Sequence, residues 1–254
     1  MTAELVYLEK SSWSERALFA LELAGVAFAK VAYTPFVDEA WLRLRLRDWT
    51  GRVSVPVLLL HGGAPARRGS RAIAEWAAEQ GGLEMGGDSA YLDRIEAASE
   101  RVMLASRYRG CVRVRDTGAF DESDVPDGAA QWLPHSLRRW VVIRGYSRLA
   151  AKYKRPNETM ESDLADMRAG LAELRAMLRD AGGARFGTRG DADTPPSFAD
   201  LIVATTMHFA PLPGGRNAFG PNVREQFREP ELEVEFADLI AWRNALYEKF
   251  RNRR

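Results

Sequence analysis

Two adjacent serines, Ser11 and Ser12, follow the apolar run Leu5, Val6, Tyr7, Leu8 and precede a helical pattern of Leu18, Leu21 and Ala24. A helix start leaves backbone N–H groups unpaired and carries partial positive charge, so hydroxyls placed there help to hold an anion. One serine is enough for a cap. Ser12 and Glu15 have the spacing of a capping box, which occupies Ser12 and leaves the Ser11 hydroxyl facing a groove above the strand end. The alternative makes Ser11 the cap and Ser12 exposed.

Two further stretches carry groups of the same kind. In Val53-Ser54-Val55-Pro56-Val57 the proline stands where a strand begins, a position at which proline is tolerated. A cis bond there would present the Val55 backbone to an extended peptide, whereas the plain alternative is an ordinary strand-start proline. In Arg68-Gly69-Ser70-Arg71, Ser70 is placed to cap the next helix, and its hydroxyl with the following N–H groups suits a carboxylate. Ser197 and Asp200 form a second capping-box pattern before the apolar run Leu201, Ile202, Val203, Ala204, which points to folding and not to catalysis. Arg107, Arg109, Arg113 and Arg115 around Tyr108 read as a solvated charged face or as an anion or partner surface.

The elements that must position these groups fall into two halves. Strand patterns cover residues 4–8, 27–33 and 57–60, with a weaker one at 64–67. Helical patterns cover 12–24, 37–46 and 70–80, with Gly25 where a helix-terminating glycine belongs. The order β-α-β-α-β-β-α is a mixed layered unit. The glycine pairs at 81–82 and 86–87 mark a linker. Beyond it the patterns are helical, over 89–107, 134–152, 158–180, 197–209 and 231–250. Residues 110–133 and 210–230 read as long loops. Leu164, Met167, Leu171, Leu174 and Leu178 form one stripe that is most simply core.

Composition narrows the classes. A 254-residue chain with 46% hydrophobic residues can build a proper core. Lys plus Arg number 36 against 35 Asp plus Glu, so no global field favours nucleic acid or an anionic membrane. No apolar run approaches the ~20 residues of a membrane helix and no signal-peptide pattern opens the chain, which reads as cytoplasmic. The single cysteine, Cys111, rules out an intrachain disulfide and a CxxC redox pair. His61, His135 and His208 have no metal-motif spacing, and no metal is expected.

The serine at the first helix start, the Val-Pro before the third strand, the serine at the third helix start, the linker and a helical half with a Ser-Phe-Ala-Asp box together resemble the glutathione transferase superfamily over essentially the whole chain. The Ser11-Ser12-Trp13-Ser14 stretch is similar to the serine-type signature of its zeta class. The resemblance implies a thioredoxin-like N-terminal domain (residues 1–81) followed by an all-helical C-terminal domain (residues 88–254). It implies glutathione as cosubstrate, with Ser11 the catalytic contact to sulfur. Val55 and Pro56 would pair with the cysteinyl backbone, and Gly69 and Ser70 would sit at the γ-glutamyl end. The family usually has an acid where this chain has Gly69, so the γ-glutamyl ammonium would borrow its acceptor from elsewhere, such as a partner subunit. A small electrophile would lie between the domains, with Trp13 and Tyr108 as pocket candidates. A homodimer is also implied. With serine in place of cysteine at position 11, thiol-transfer chemistry is disfavoured. The rival reading is a non-catalytic relative that binds or regulates, and the absence of CxxC speaks against a generic redox protein.

Overall fold

The computed structural model describes residues 3–35, 37–51, 53–62, 64–125, 129–156, 158–187, 193–213 and 219–251, without the side chains of 129 and 130. Its first half contains β1 (Ala3–Tyr7), α1 (Ser12–Leu23), β2 (Ala29–Ala32), α2 (Glu39–Leu46), β3 (Val57–Leu60), β4 (Arg67–Arg68) and α3 (Ser70–Gln80). The strand order is β2-β1-β3-β4, with β1 parallel to β2 and antiparallel to β3. Side chains alternate across the sheet. Leu5 and Leu58 pack towards α1 and α3, whereas Val6, Val57 and Leu59 form a separate cluster with Leu42 of α2. This half is thioredoxin-like.

Register decides where the site lies. Val6 of β1 pairs with Val57 of β3, and Val57 pairs with Arg68 of β4. One row across the sheet therefore carries the end of β1, the start of β3 and the end of β4. The segments holding Ser11, Val55-Pro56 and Gly69-Ser70 all leave this row at the same edge. Helix α1 ends at Gly25, whose φ of +67° costs a residue with a Cβ more than it costs glycine.

The second half is helical: α4 (Ser89–Thr117), α5 (His135–Tyr153), α6 (Met160–Asp180), α7 (Phe198–Thr206), α8 (Pro221–Phe227), α9 (Pro230–Glu235) and α10 (Ala237–Leu246), then a π-helical turn, Tyr247–Arg251. Phe198 and Ala199 of α7 donate backbone hydrogen bonds to Glu84 and Met85, which fastens the connecting segment to this half. The predicted stripe on α6 is core, with Met167, Leu171, Leu174 and Leu178 buried. No helix among the described residues is long and apolar enough to cross a membrane.

Three expectations are corrected. Helix α4 does not stop at 107 but runs to Thr117, and α8 occupies part of the stretch read as a loop at 210–230. Residues 126–128 and 214–218 of those two stretches lie outside the described residues. The arginine cluster on α4 is not one solvated face: Arg115 is exposed, whereas Arg107 and Arg113 are half-buried. Arg109 is buried and makes a bidentate pair with Glu229 at 2.7 and 2.9 Å, and Arg113 adds a bond to the same carboxylate at 2.9 Å. Those bonds staple α4 to the segment between α8 and α9, which holds α4 helical through a charged stretch.

Candidate active site

At the start of α1 the two serines exchange the roles first assigned to them. Ser11 is the cap: it has extended φ/ψ, and its Oγ accepts from the Ser14 N–H at 3.5 Å. Ser12 is the first helical residue, is buried, and makes no side-chain hydrogen bond among the described residues. The Ser12–Glu15 capping box does not form. Glu15 turns instead to Arg251, at 2.8 and 3.1 Å, across 236 residues of sequence. A bidentate charged pair is stronger than a return bond to one amide, so the long-range partner wins. The contact at 3.5 Å is long, and it uses a lone pair of Ser11; the hydroxyl hydrogen stays available.

The same correction applies to α3. Its cap position is Gly69, and Ser70 is the first helical residue, buried, with no side-chain hydrogen bond among the described residues. Gly69 has φ +86° and ψ 157°, a backbone region that is essentially glycine-only and costs other residues about 1–3 kcal/mol. An added Cβ would meet nothing within 4 Å, so conformation and not space selects glycine there. The Gly69 N–H donates to the Pro56 carbonyl at 2.9 Å, tying the turn before α3 to the turn before β3. The Val55–Pro56 bond is cis, and Val55, half-buried, makes no backbone hydrogen bond among the described residues. One sheet edge thus gathers two helix N-termini, two hydroxyls unpartnered among the described residues and one unpaired peptide unit. That set suits an extended, anionic peptide.

Next to this edge, between the halves, lie two cavities. The larger, about 350 Å³, opens between α1 and the C-terminal turn and is walled by Leu18, Leu212, Phe219 and Tyr247. The smaller, about 30 Å³, is lined by Ser12, Met103, Ser106 and Phe227. Lys10, His208 and Phe219 border both. Lys10 pairs with Asp124, and Arg107 donates to the Lys10 carbonyl at 2.8 Å, so α4 and the turn after it hold the β1–α1 loop. Burial, then the charges of Arg243, Arg107 and Arg16, push the His208 imidazole down to about 3, which keeps it neutral. The Tyr247 phenol is pushed well up, first by burial and then by Glu15.

Of the pocket candidates, Trp13 is half-buried beneath the Arg107 guanidinium, 5.6 Å from the ring centroid, and Tyr108 packs on the Cys111, Val142 and Tyr146 cluster. Neither lines the two cavities. The residues that do, Lys10, His208, Phe219 and Tyr247, have no local signal marking them. In the sequence His208 stands out only against metal-motif spacing, and its position depends on α7 and α10 packing together. Cys111 is buried, and desolvation pushes its thiol up to about 12, so it supplies no thiolate near neutral pH. Glu158, Asp163 and Asp166 converge on α6, but Arg155 bonds to this trio, which reads as an ion-pair cluster.

Residues 10–80 match the family model described as "Glutathione S-transferase, N-terminal domain". A solved glutathione transferase from Phanerochaete chrysosporium is similar with a TM-score of 0.57 at 13% identity, covering 100% of this chain and 96% of that one. A β-etherase from Sphingobium sp. strain SYK-6 has a TM-score of 0.54 at 16% identity, over 99% of this chain and 100% of the other. A glutathione S-transferase from Methylobacterium radiotolerans, solved in complex with glutathione sulfonate, has a TM-score of 0.52 at 15% identity, over 98% and 95%. At these identities the likeness establishes the fold. No curated protein matches the sequence.

Proposed function

Because residues 10–80 match the N-terminal domain of glutathione S-transferases and the chain has that two-domain fold, we propose that it is a glutathione-dependent transferase. It would present the glutathione thiolate to a small, mostly apolar electrophile held between the halves. One observation carries this reading: the three segments that would hold glutathione converge on a single sheet edge, with the Ser12 and Ser70 hydroxyls and the Val55 peptide unit unpaired among the described residues.

The chemistry is thiol ionisation. A free thiol of pKa about 8.5 is only about 3% thiolate at pH 7, and lowering that pKa by about two units takes roughly 2.7 kcal/mol. A serine O–H donating to sulfur, backed by the N-terminus of α1, is a source of that size. The thiol proton passes to solvent, the sulfur lone pair forms the new bond to the electrophilic atom, and any leaving group departs with its electrons. Serine would act as a donor and not as the nucleophile, since neither Ser11 nor Ser12 has a hydrogen bond to a histidine or carboxylate among the described residues.

Ser11 remains the proposed sulfur contact on the resemblance that places it there, its hydrogen being uncommitted; Ser12, whose hydroxyl is equally uncommitted and which lines the smaller cavity, is the rival. Ser11→Ala is expected to lower kcat/KM for a chlorodinitrobenzene probe about 10–100-fold, with a cap loss of about 0.5–2 kcal/mol in stability. Ser12→Ala should leave the cap intact. If Ser12→Ala alone loses activity, the sulfur contact moves to Ser12. Absence of any thermal shift at millimolar glutathione would reject the transferase reading, and binding without turnover would favour the non-catalytic one.

A homodimer belongs to the same proposal. Val37, Trp41, Leu44 and Trp49 are exposed in and around α2, and Trp132, Leu137 and Trp140 are exposed at the start of α5. Apolar patches of this kind mark interfaces. A two-fold pairing would set the first patch of one subunit against the second patch of its partner. Sedimentation velocity is expected to give a dimer, and Trp140→Glu to give monomer.

A further inference from the structure

We propose that the larger interdomain cavity selects a neutral aromatic molecule bearing a hydrogen-bonding oxygen, and that His208 and Tyr247 are the residues that select it. This names the substrate class of the proposed transferase and rests on that reading.

Apart from Glu9, the charges around the cavity are already paired. Lys10 is paired with Asp124, Lys30 with Glu22 at 2.9 Å, and Glu15 with Arg251 at 2.8 Å. Glu9, exposed at the mouth, is the lining charge with no ion pair among the described residues. An anionic ligand would have to break a pair to be neutralised and would pass Glu9 on entry; a cationic one meets Lys10, Lys30 and Arg251. Both are disfavoured by the same arrangement.

The buried polar atoms that the cavity leaves unpartnered belong to neutral groups. His208 Nε2 and Tyr247 Oη are both buried without a hydrogen-bond partner among the described residues, on the side of the cavity formed by the helical half, with the Glu15 carboxylate near the Tyr247 hydroxyl. A buried polar atom without a partner costs about 1–3 kcal/mol, which a water or a ligand oxygen recovers. The phenol donates to a carbonyl, ether or hydroxyl oxygen, and a neutral imidazole both donates and accepts. Around these atoms the walls are Phe219, Leu18 and Leu212, with Tyr7 opposite. Phe219 is itself held by a stacked contact with Phe227, at 4.6 Å between centroids, with Lys10 Nζ 5.6 Å from its ring centroid, so the ring is fixed in place. His208 also borders the small cavity that Ser12 lines, so a molecule anchored at His208 reaches towards the start of α1.

The test is calorimetric titration of three small probes of similar shape: acetophenone, ethylbenzene and benzoate, first into the protein alone and then into protein saturated with glutathione. Acetophenone is expected to bind at least about tenfold more tightly than either of the others. His208→Leu should weaken acetophenone about tenfold and leave ethylbenzene unchanged. Tyr247→Phe, which removes one oxygen and keeps the ring, should do the same by about fivefold, and it serves if the leucine variant folds poorly. Benzoate binding as tightly as acetophenone, or acetophenone binding unchanged in both variants, would overturn the proposal. Glutathione is titrated separately. A protein that takes glutathione but does not discriminate among the probes refutes the cavity assignment alone; one that discriminates without taking glutathione refutes the transferase reading alone.

Discussion

Asp200→Ala is expected to cost about 3–6 kcal/mol of stability, close to the whole stability of many domains. Asp200 is fully buried at the start of α7. Its carboxylate accepts from the Phe186 N–H at 2.8 Å, the Ser197 N–H at 2.8 Å and the Ser197 hydroxyl at 2.9 Å. Burial raises its pKa despite those three bonds, so desolvation is a large standing cost that the bonds offset. Alanine leaves two buried amides without acceptors, at about 1–3 kcal/mol each, and removes the Asp200 half of the capping box of a helix packed at the centre of the core, with Ser197 remaining as the cap. Asp200→Asn keeps the shape with one acceptor oxygen and should fall between. The readout is the urea midpoint with the slope unchanged, and a loss below about 1 kcal/mol for the alanine variant contradicts this account. Phe186, buried against Trp242 in an edge-on contact at 5.4 Å, should become mobile in the same variant.

The second large effect is a contrast at Arg16. This arginine of α1 is 1% exposed and has no carboxylate partner among its hydrogen bonds. It donates to Ser99 Oγ at 3.0 Å, Thr205 Oγ1 at 3.2 Å and the Ile202 carbonyl at 3.3 Å, joining α1 to α4 and α7. Burial lowers its pKa to about 10, with Glu96 and Glu100 opposing from a distance. At pH 7 the charged form is therefore held at a cost of roughly 3 kcal/mol relative to the unfolded chain. Arg16→Ala removes the side chain and opens a cavity between the halves, for an expected loss of about 3–5 kcal/mol. Arg16→Met fills much of the space without the charge. The acceptors left behind have other partners: Ser99 bonds Thr206 at 2.6 Å, and Thr205 bonds the Leu201 carbonyl at 2.8 Å. Methionine is thus expected to cost under about 1.5 kcal/mol, as when a buried ion pair is replaced by apolar residues. Equal damage from both variants would show that the directional bonds of Arg16, and not its volume, join the two halves.

Local patterns carried a large part of the architecture. Strand β3 and helix α3 lie where the sequence predicts them, residues 57–60 and 70–80, because each is bounded by its own breaker: Pro56 before one, and the glycines at 69 and 81 around the other. Asp200 and Ser197 were legible as a capping box because both partners lie within one helical turn. The end of α4 was not legible, because its last turns depend on Glu229, more than a hundred residues away. Helix α8 was hidden for a similar reason: seven residues with two buried side chains, Val223 and Phe227, leave too short a periodic signal.

The paired serines show the same division. That Ser11 and Ser12 sit at a helix start, with the Val55-Pro56 and Gly69-Ser70 segments elsewhere in the chain, follows from residue types, breakers and periodicity, which act over a few residues. Their arrival at one sheet edge is set by the pairing of Val6 with Val57 and of Val57 with Arg68. Which serine caps is set by Arg251, which draws Glu15 away from the box. The meeting of unpartnered neutral groups with the interdomain cavity depends on α1 packing near Tyr247 and His208. Caps and breakers are short-range and can be read in a line; partners for buried charge and unpaired oxygen are chosen among all groups that folding brings near, and only the packed chain makes that choice.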